Sequence, residues 1–302
     1  MSHAELPVRR PVPMVDLARR HAEVADEVED RVLQVLRSGR WVGGPVVAEA
    51  EARLAGWLSR QGAVGVASGT DALMLALQAV GIRPGDEVIV PALTFFATAG
   101  AVAAVGATPV IADVGEDGLL DPTAAGALIS PRTRAVIPVH LFGNRAEDPG
   151  LGLTVIDDAA QAIGTTPPPS IGRLTAVSAY PTKSWGAAGD AGFVAGDEPE
   201  LLEAVRCLAS HGQRGAPHHH EAHDGQVGRA SRLDAIQAAV LLGHADQVEA
   251  RIDRRRRLAD RYDAGLPASI RPLPRQHGSS VHQYCVLASD RARVVAALDE
   301  AG

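Results

Sequence analysis

Of the 29 basic residues in this 302-residue chain, a single one is lysine and all the others are arginine. That lysine, Lys183, stands in Tyr180-Pro181-Thr182-Lys183-Ser184-Trp185-Gly186-Ala187-Ala188-Gly189-Asp190. Arginine serves almost every purpose of a surface cation, but it stays protonated and cannot act as an amine nucleophile. A partly desolvated lysine can shed its proton and form an imine with a carbonyl carbon. The aldehyde of pyridoxal 5'-phosphate (PLP) is one such partner. The competing reading is a leftover surface lysine in an arginine-biased composition, so the neighbouring motifs have to decide.

Four of them fall at strand ends. Ser68-Gly69-Thr70 stands between an apolar strand and a helix start, where free backbone N–H groups and the helix dipole favour a phosphate; the same triplet also suits a plain cap and turn. Asp157-Asp158 ends another strand, and a carboxylate held there can pair with a protonated ring nitrogen, the contact that lets PLP draw electrons. A helix cap or a metal ligand is the alternative, although no convergent ligand set accompanies it. Ser178, five residues before Lys183, can donate to a phosphate or cap the next turn. Phe95, in Thr94-Phe95-Phe96, can stack on a flat ring or pack in a core. The order of these motifs along one chain, ending in a lone lysine on a glycine-rich loop, is more specific than any of them.

The elements that must position these residues follow from hydrophobic spacing. Leu17 to Leu36 reads as one amphipathic helix stopped at Ser38-Gly39, and a second helix spans about Pro45 to Ser59. Short apolar strands then recur at Val64–Ala67, Glu87–Val90, Pro109–Ala112, Ala135–Val139, Thr154–Asp157, Ala176–Ala179 and Gly192–Ala195. Helices at Asp71–Val80, Ala97–Val105 and Glu200–Ala209 alternate with them. Such a rhythm indicates an α/β fold: three layers, with a mainly parallel sheet covered on both faces. Ligands on such sheets bind where strands end. After Leu233 the pattern is helical, with Arg254 to Arg257 read as a solvated face. A proline-rich break at Pro267 to Gly278 precedes an expected strand at Val281–Leu287 and a helix at Arg291–Asp299. The organisation expected is a loose arm at 1–13, a large α/β domain at 14–245 and a small C-terminal α+β domain at 246–302.

Composition narrows the function. A net charge of −7 argues against broad binding to nucleic acid or anionic membranes. Cys207 and Cys285 lie far apart without a CxxC pair, which suits a reducing, cytoplasmic setting. The amino terminus lacks a signal-peptide pattern, and no apolar run reaches membrane-spanning length. His218, His219, His220 and His223 lack regular ligand spacing and read as a solvated loop rather than a metal site. Cys207 is expected to pack on its helix.

Seven segments, in order, carry a resemblance. They are Ala67-Ser68-Gly69-Thr70-Asp71-Ala72-Leu73, Gly85-Asp86-Glu87-Val88-Ile89-Val90-Pro91-Ala92, Gly106-Ala107-Thr108-Pro109-Val110, Val139-His140-Leu141-Phe142-Gly143, Ile156-Asp157-Asp158-Ala159-Ala160-Gln161-Ala162, Tyr180-Pro181-Thr182-Lys183 and Arg232-Leu233-Asp234-Ala235-Ile236-Gln237-Ala238-Ala239. Through them the chain resembles the DegT/StrS-type sugar aminotransferases, PLP enzymes of the aspartate aminotransferase fold. The resemblance implies that Lys183 holds PLP and shuttles the proton, Asp158 pairs with the pyridine nitrogen, and Gln161 bonds the ring hydroxyl. It further implies that Gly69, Thr70 and Ser178 hold the phosphate, that Phe95 stacks on the ring, and that Arg232 lies near the substrate. It implies a homodimer with sites at the subunit interface, moving an amino group from glutamate to a keto-sugar, typically nucleotide-linked.

The chain also departs from the family pattern. Ala230 replaces an asparagine that relatives lend across the dimer. The stretches from Asn144 to Thr154 and from Gly164 to Thr175 are short, so a crossover helix is expected to be trimmed. Relatives continue past the position of Gly302, so the small domain is expected to be incomplete. Two other readings stay open: an aminotransferase on a keto-cyclitol or for an aminobenzoate-type product, and a PLP-binding pseudoenzyme that supports a partner. A dehydratase relative carrying histidine in place of the lysine is disfavoured by Lys183.

Overall fold

A computed structural model describes residues 13–213, 219–223 and 225–301. Most of the arm expected at 1–13, and His218 of the histidine loop, lie outside them. The chain enters through α1 (Leu17–Ala22), α2 (Ala25–Ser38) and α3 (Pro45–Leu58), then alternates β1 (Gly62–Val66), α4 (Gly69–Ala79), β2 (Glu87–Pro91), α5 (Phe96–Ala104) and β3 (Thr108–Ala112). A short α6 (Pro122–Gly126) precedes β4 (Thr133–Val136), β5 (Thr154–Asp158), β6 (Leu174–Ser178) and β7 (Gly192–Gly196). Then come α7 (Pro199–Ala209), α8 (Ala235–Ala245), α9 (Val248–Gly265), the paired short strands β8 (Ile270–Pro272) and β9 (Val286–Ala288), and α10 (Arg291–Ala301).

The first seven strands form one sheet in the order β1-β7-β6-β5-β4-β2-β3. Strands β3, β2, β4, β5 and β6 run parallel, and β7 is antiparallel to both of its neighbours. Alternate side chains leave opposite faces of a strand, and that alternation separates two cores. Val177 and Phe193 pack with Leu54, Leu58, Trp185 and Leu241 under α3 and α8. Ala176 and Val194 pack with Leu73, Leu77, Val102 and Leu208 under α4, α5 and α7. The mainly parallel, three-layered sheet expected from the apolar runs is therefore present. Cys207 is buried on α7, as expected. Residues 144–153 contain no helix, consistent with the shortened crossover.

Three elements differ from the sequence reading. The helix expected from Leu17 to Leu36 is broken at Glu23-Val24, where Val24 takes φ −139° and ψ 21°. The strand expected at Val281–Leu287 pairs only from Val286; before it, Val281 adopts φ +46° and the His282 N–H donates to the Phe142 carbonyl at 2.8 Å. The Arg254–Arg257 run is a solvated face only at Arg254 and Arg257. Arg255 reaches Ser184 Oγ at 2.9 Å, and Arg256 donates to the carbonyls of Ser279 and Gly164 at 2.9 and 3.0 Å.

The sheet also separates the two acidic residues at the end of β5. Asp157 faces the interior, accepting from Thr175 Oγ1 at 2.8 Å and from the Ile171 and Gly172 N–H groups at 3.0 Å each. Arg60, its side chain 8% exposed, lies 3.5 Å from the same carboxylate. Arg60 would keep Asp197 at 2.7 Å, but the Thr175 hydroxyl and the Ile171 and Gly172 amides would lose their acceptor, so Asp157→Ala is expected to cost about 3 kcal/mol. A urea-unfolding midpoint measures this, and an unchanged midpoint would refute it.

Candidate active site

Across the sheet end from Asp157 lies a cavity of about 400 Å³ lined by Ser68, Gly69, Thr70, Phe95, Asp158, Gln161, Ser178, Tyr180, Lys183 and Asp190, among others. Seven of the eight residues singled out in the sequence thus meet in one place. Arg232 does not. It is exposed, between the buried Ser231 and Leu233, and does not line the cavity of this copy.

One wall is the β1–α4 turn. Ser68 caps α4 by accepting the Asp71 N–H at 3.1 Å. The first amides of the helix, Gly69 and Thr70, have no carbonyl partner within it. Glycines make this wall compact. A Cβ on Gly69 would lie 2.6 Å from Ser178 Cβ, and one on Gly192 would lie 2.3 Å from the Ser68 carbonyl oxygen. The Ser178 side chain is thereby held beside the free amides, forming a concave cluster of donors suited to a phosphate.

At the opposite end Asp158 is buried, accepting from Thr98 Oγ1 at 2.8 Å and from the Ala160 N–H at 3.2 Å. Burial holds its carboxyl above the usual range, against the opposing pull of those two donors and of Lys183 and His140. Lys183 is half-buried in the same cavity. Burial pushes its amine below the ordinary lysine range, and Asp158 opposes that shift. Each partner therefore pays for desolvation while favouring the charge of the other. The Gln161 amide is oriented: its Oε1 accepts the Phe142 N–H at 2.7 Å, so its Nε2 remains to donate elsewhere. Phe95 caps the entrance and is 72% exposed.

Sequence reasoning missed four contributors. Thr98 is unremarkable within an alanine-rich helix, and only its hydrogen bond to Asp158 marks it. Tyr180 and Asp190 flank the lysine loop and line the cavity, a role that their nearness to Lys183 could have suggested. His282 has a buried Nδ1 without a hydrogen-bond partner; burial, with the charges of Lys183 and Arg255, pushes its pKa down to about 3. The described residues hold no cluster of His, Cys, Asp or Glu fit for a metal ion.

A profile of the DegT/DnrJ/EryC1/StrS aminotransferase family matches residues 22–302. The chain belongs to that family. It is 41% identical to the UDP-N-acetyl-3-dehydro-alpha-D-glucosamine 3-aminotransferase of Acidithiobacillus ferrooxidans, over 96% of this chain and 82% of that protein. Among solved structures it resembles Streptomyces venezuelae DesV in complex with a ketimine intermediate, with a TM-score of 0.88 and 38% identity over 96% of this chain and 81% of that one. It also resembles NtdA from Bacillus subtilis with bound cofactor PMP, with a TM-score of 0.90 and 29% identity over 98% and 71% of the respective chains. The sheet and its covering helices are those of the PLP-dependent aminotransferases.

Proposed function

We propose that this family member is a PLP-dependent aminotransferase that takes an amino group from glutamate and passes it to the keto group of a nucleotide-linked sugar. The observation that carries this reading is the presence in one cavity of a desolvated lysine and a buried carboxylate, facing a donor-rich turn. Those three features fit the aldehyde, the ring nitrogen and the phosphate of one cofactor. PLP, when bound, supplies an electron sink for the carbon that gains or loses the amine. The chain's own residues do the rest. The Gly69 and Thr70 amides and the Ser178 hydroxyl would hold the phosphate, and Phe95 would cover the ring face. Asp158 would keep the ring nitrogen protonated, and Gln161 Nε2 would donate to the ring hydroxyl. Lys183 would bond to the aldehyde and, once released, carry the proton between donor and acceptor carbons.

The substrate class rests on the relative named for a UDP-linked 3-dehydro sugar. The homodimer belongs to the same proposal: Phe95, which lines the cavity, and the adjacent Phe96 are 72% and 82% exposed, and a second copy would cover them. The exposed Arg232 suits a reach toward that copy's substrate. A cytoplasmic setting agrees with two free thiols, and among the described residues no helix is long and apolar enough to cross a membrane. A division into a large unit through 245 and a smaller one after it completes the proposal.

The test supplies purified protein with PLP and glutamate and measures 2-oxoglutarate. The aminated form is then given a UDP- or dTDP-linked 3-keto sugar and the products are weighed by mass spectrometry. Release of 2-oxoglutarate and an amino sugar is expected. Cofactor binding without 2-oxoglutarate would replace this reading with the supporting pseudoenzyme, and amination of a keto-cyclitol alone would change the substrate class.

A further inference from the structure

Arg20, on α1, lies outside the cavity just described, yet it grips the segment that carries Lys183 from behind. Its Nη1 donates to the Lys183 carbonyl at 2.8 Å and to the Pro181 carbonyl at 3.0 Å, and its Nη2 to the Ser184 carbonyl at 3.3 Å. Within the loop, the Lys183 N–H donates to the Tyr180 carbonyl at 2.8 Å. Gly186 lets the turn close, since a Cβ there would lie 2.4 Å from the Pro181 carbonyl oxygen. The loop's carbonyls thus converge on one guanidinium, while the Lys183 side chain lines the cavity. A planar fork with five donors is well suited to hold several acceptors at once.

The clamp is itself supported. Arg251 donates to the Arg20 carbonyl at 3.1 Å and pairs with Glu23 at 3.1 Å, while Arg255 fixes Ser184 Oγ. Burial, then the charges of Arg251 and Arg255, lower the Arg20 pKa to about 10, which leaves the cation intact at neutral pH. Gathering three guanidiniums beside one carboxylate opposes folding, and neutral donors could hold a loop with less repulsion. The break at Glu23-Val24 has a role here: it ends α1 as a separate short helix, from which Arg20 reaches the loop.

We propose that Arg20 is a positioning residue, whose grip on three carbonyls of the 181–184 segment aims the Lys183 amine at the cofactor aldehyde. The inference rests on Lys183 being the amine that bonds PLP. In that step the nitrogen lone pair attacks the aldehyde carbon, and both amine protons leave with the aldehyde oxygen as water. Pyridoxamine phosphate (PMP) carries its own amine, forms no bond to Lys183 and so reports on the rest of the site.

The experiment compares wild type, Arg20→Met and Arg20→Gln, each stripped of cofactor. PLP attachment is followed by borohydride fixation and the mass of the Lys183 peptide; PMP affinity is measured in parallel. Small misplacements of a reacting group are costly, so Arg20→Met is expected to slow attachment roughly tenfold or more while PMP affinity holds. Arg20→Gln, retaining two N–H donors, is expected to fall between. Arg20 also lines a second cavity of about 570 Å³, through which millimolar guanidinium, but not tetramethylammonium, is expected to restore Arg20→Met. Wild-type attachment rates in Arg20→Met, or equal losses of PLP and PMP, would overturn the positioning role. Should Arg20→Met fail to fold, Arg20→Gln decides by the same ratio. A wild-type protein that binds PMP but never attaches PLP sinks the reading of Lys183, and this inference with it.

Discussion

Lys183→Ala is expected to abolish covalent capture of PLP and to lower amino transfer by roughly four orders of magnitude. The size follows from the two duties proposed for one nitrogen: it would make and break the bond to the cofactor, and it would move the proton between reacting carbons. No other lysine side chain exists to take over. PMP binding should persist, because the phosphate turn, Asp158 and Gln161 remain. Borohydride fixation read by mass separates the outcomes. PLP fixed to the variant as to wild type would refute the role given to Lys183.

Asp158→Asn is expected to reduce transfer by about 10²–10³, comparable to removing one preorganised charge-stabilising group from other active sites. An amide cannot hold the ring nitrogen in its protonated state, so the carbon acid loses its electron sink. Stability should respond in the opposite sense. The Asp158 carboxyl, raised above its usual range by burial, binds a proton more tightly folded than unfolded. Its contribution is therefore fully present below the ordinary carboxylate pKa and is lost as pH rises through the raised value. Cofactor-free wild type should lose melting temperature across that window, and cofactor-free Asp158→Asn should not. Thermal melts of both proteins against pH measure the difference, and parallel curves would contradict it. Sequence neighbours would thus diverge: Asp157 in stability, Asp158 in the proposed site.

Much of this was legible in the residues. Val88-Ile89-Val90 and Ile156 had to be covered strands because a continuous apolar run leaves no polar face. Lys183 stood out because its type occurs nowhere else. The turn at Ser68-Gly69-Thr70 was readable as a donor site, yet its closeness to Ser178 depends on Gly69 and Gly192 being small enough for three strands to approach. What stayed hidden depended on contacts distant in sequence. Periodicity carried the first helix through Glu23-Val24 because no glycine or proline marks the break. The Val281–Leu287 run has the apolar content of a strand, but Ser280 and His282 instead donate to the Gly143 and Phe142 carbonyls. Arg255 and Arg256 look like surface charge until their carbonyl and hydroxyl partners are known. Arg232 was assigned to the site by resemblance alone, and in this single copy it is exposed and does not line the cavity.

The grip of Arg20 on the Lys183 carbonyl has a consequence for proteolysis. A lysine-directed endoprotease has one bond to cut in this chain, between Lys183 and Ser184. In the native state the carbonyl of that bond is held by a guanidinium, and the side chain the protease must grasp is half-buried in a cavity. Digestion therefore acts as a clock with a single tick: two fragments form only when this segment opens. When reclosing outruns cleavage, their rate of appearance reports the free energy of that opening.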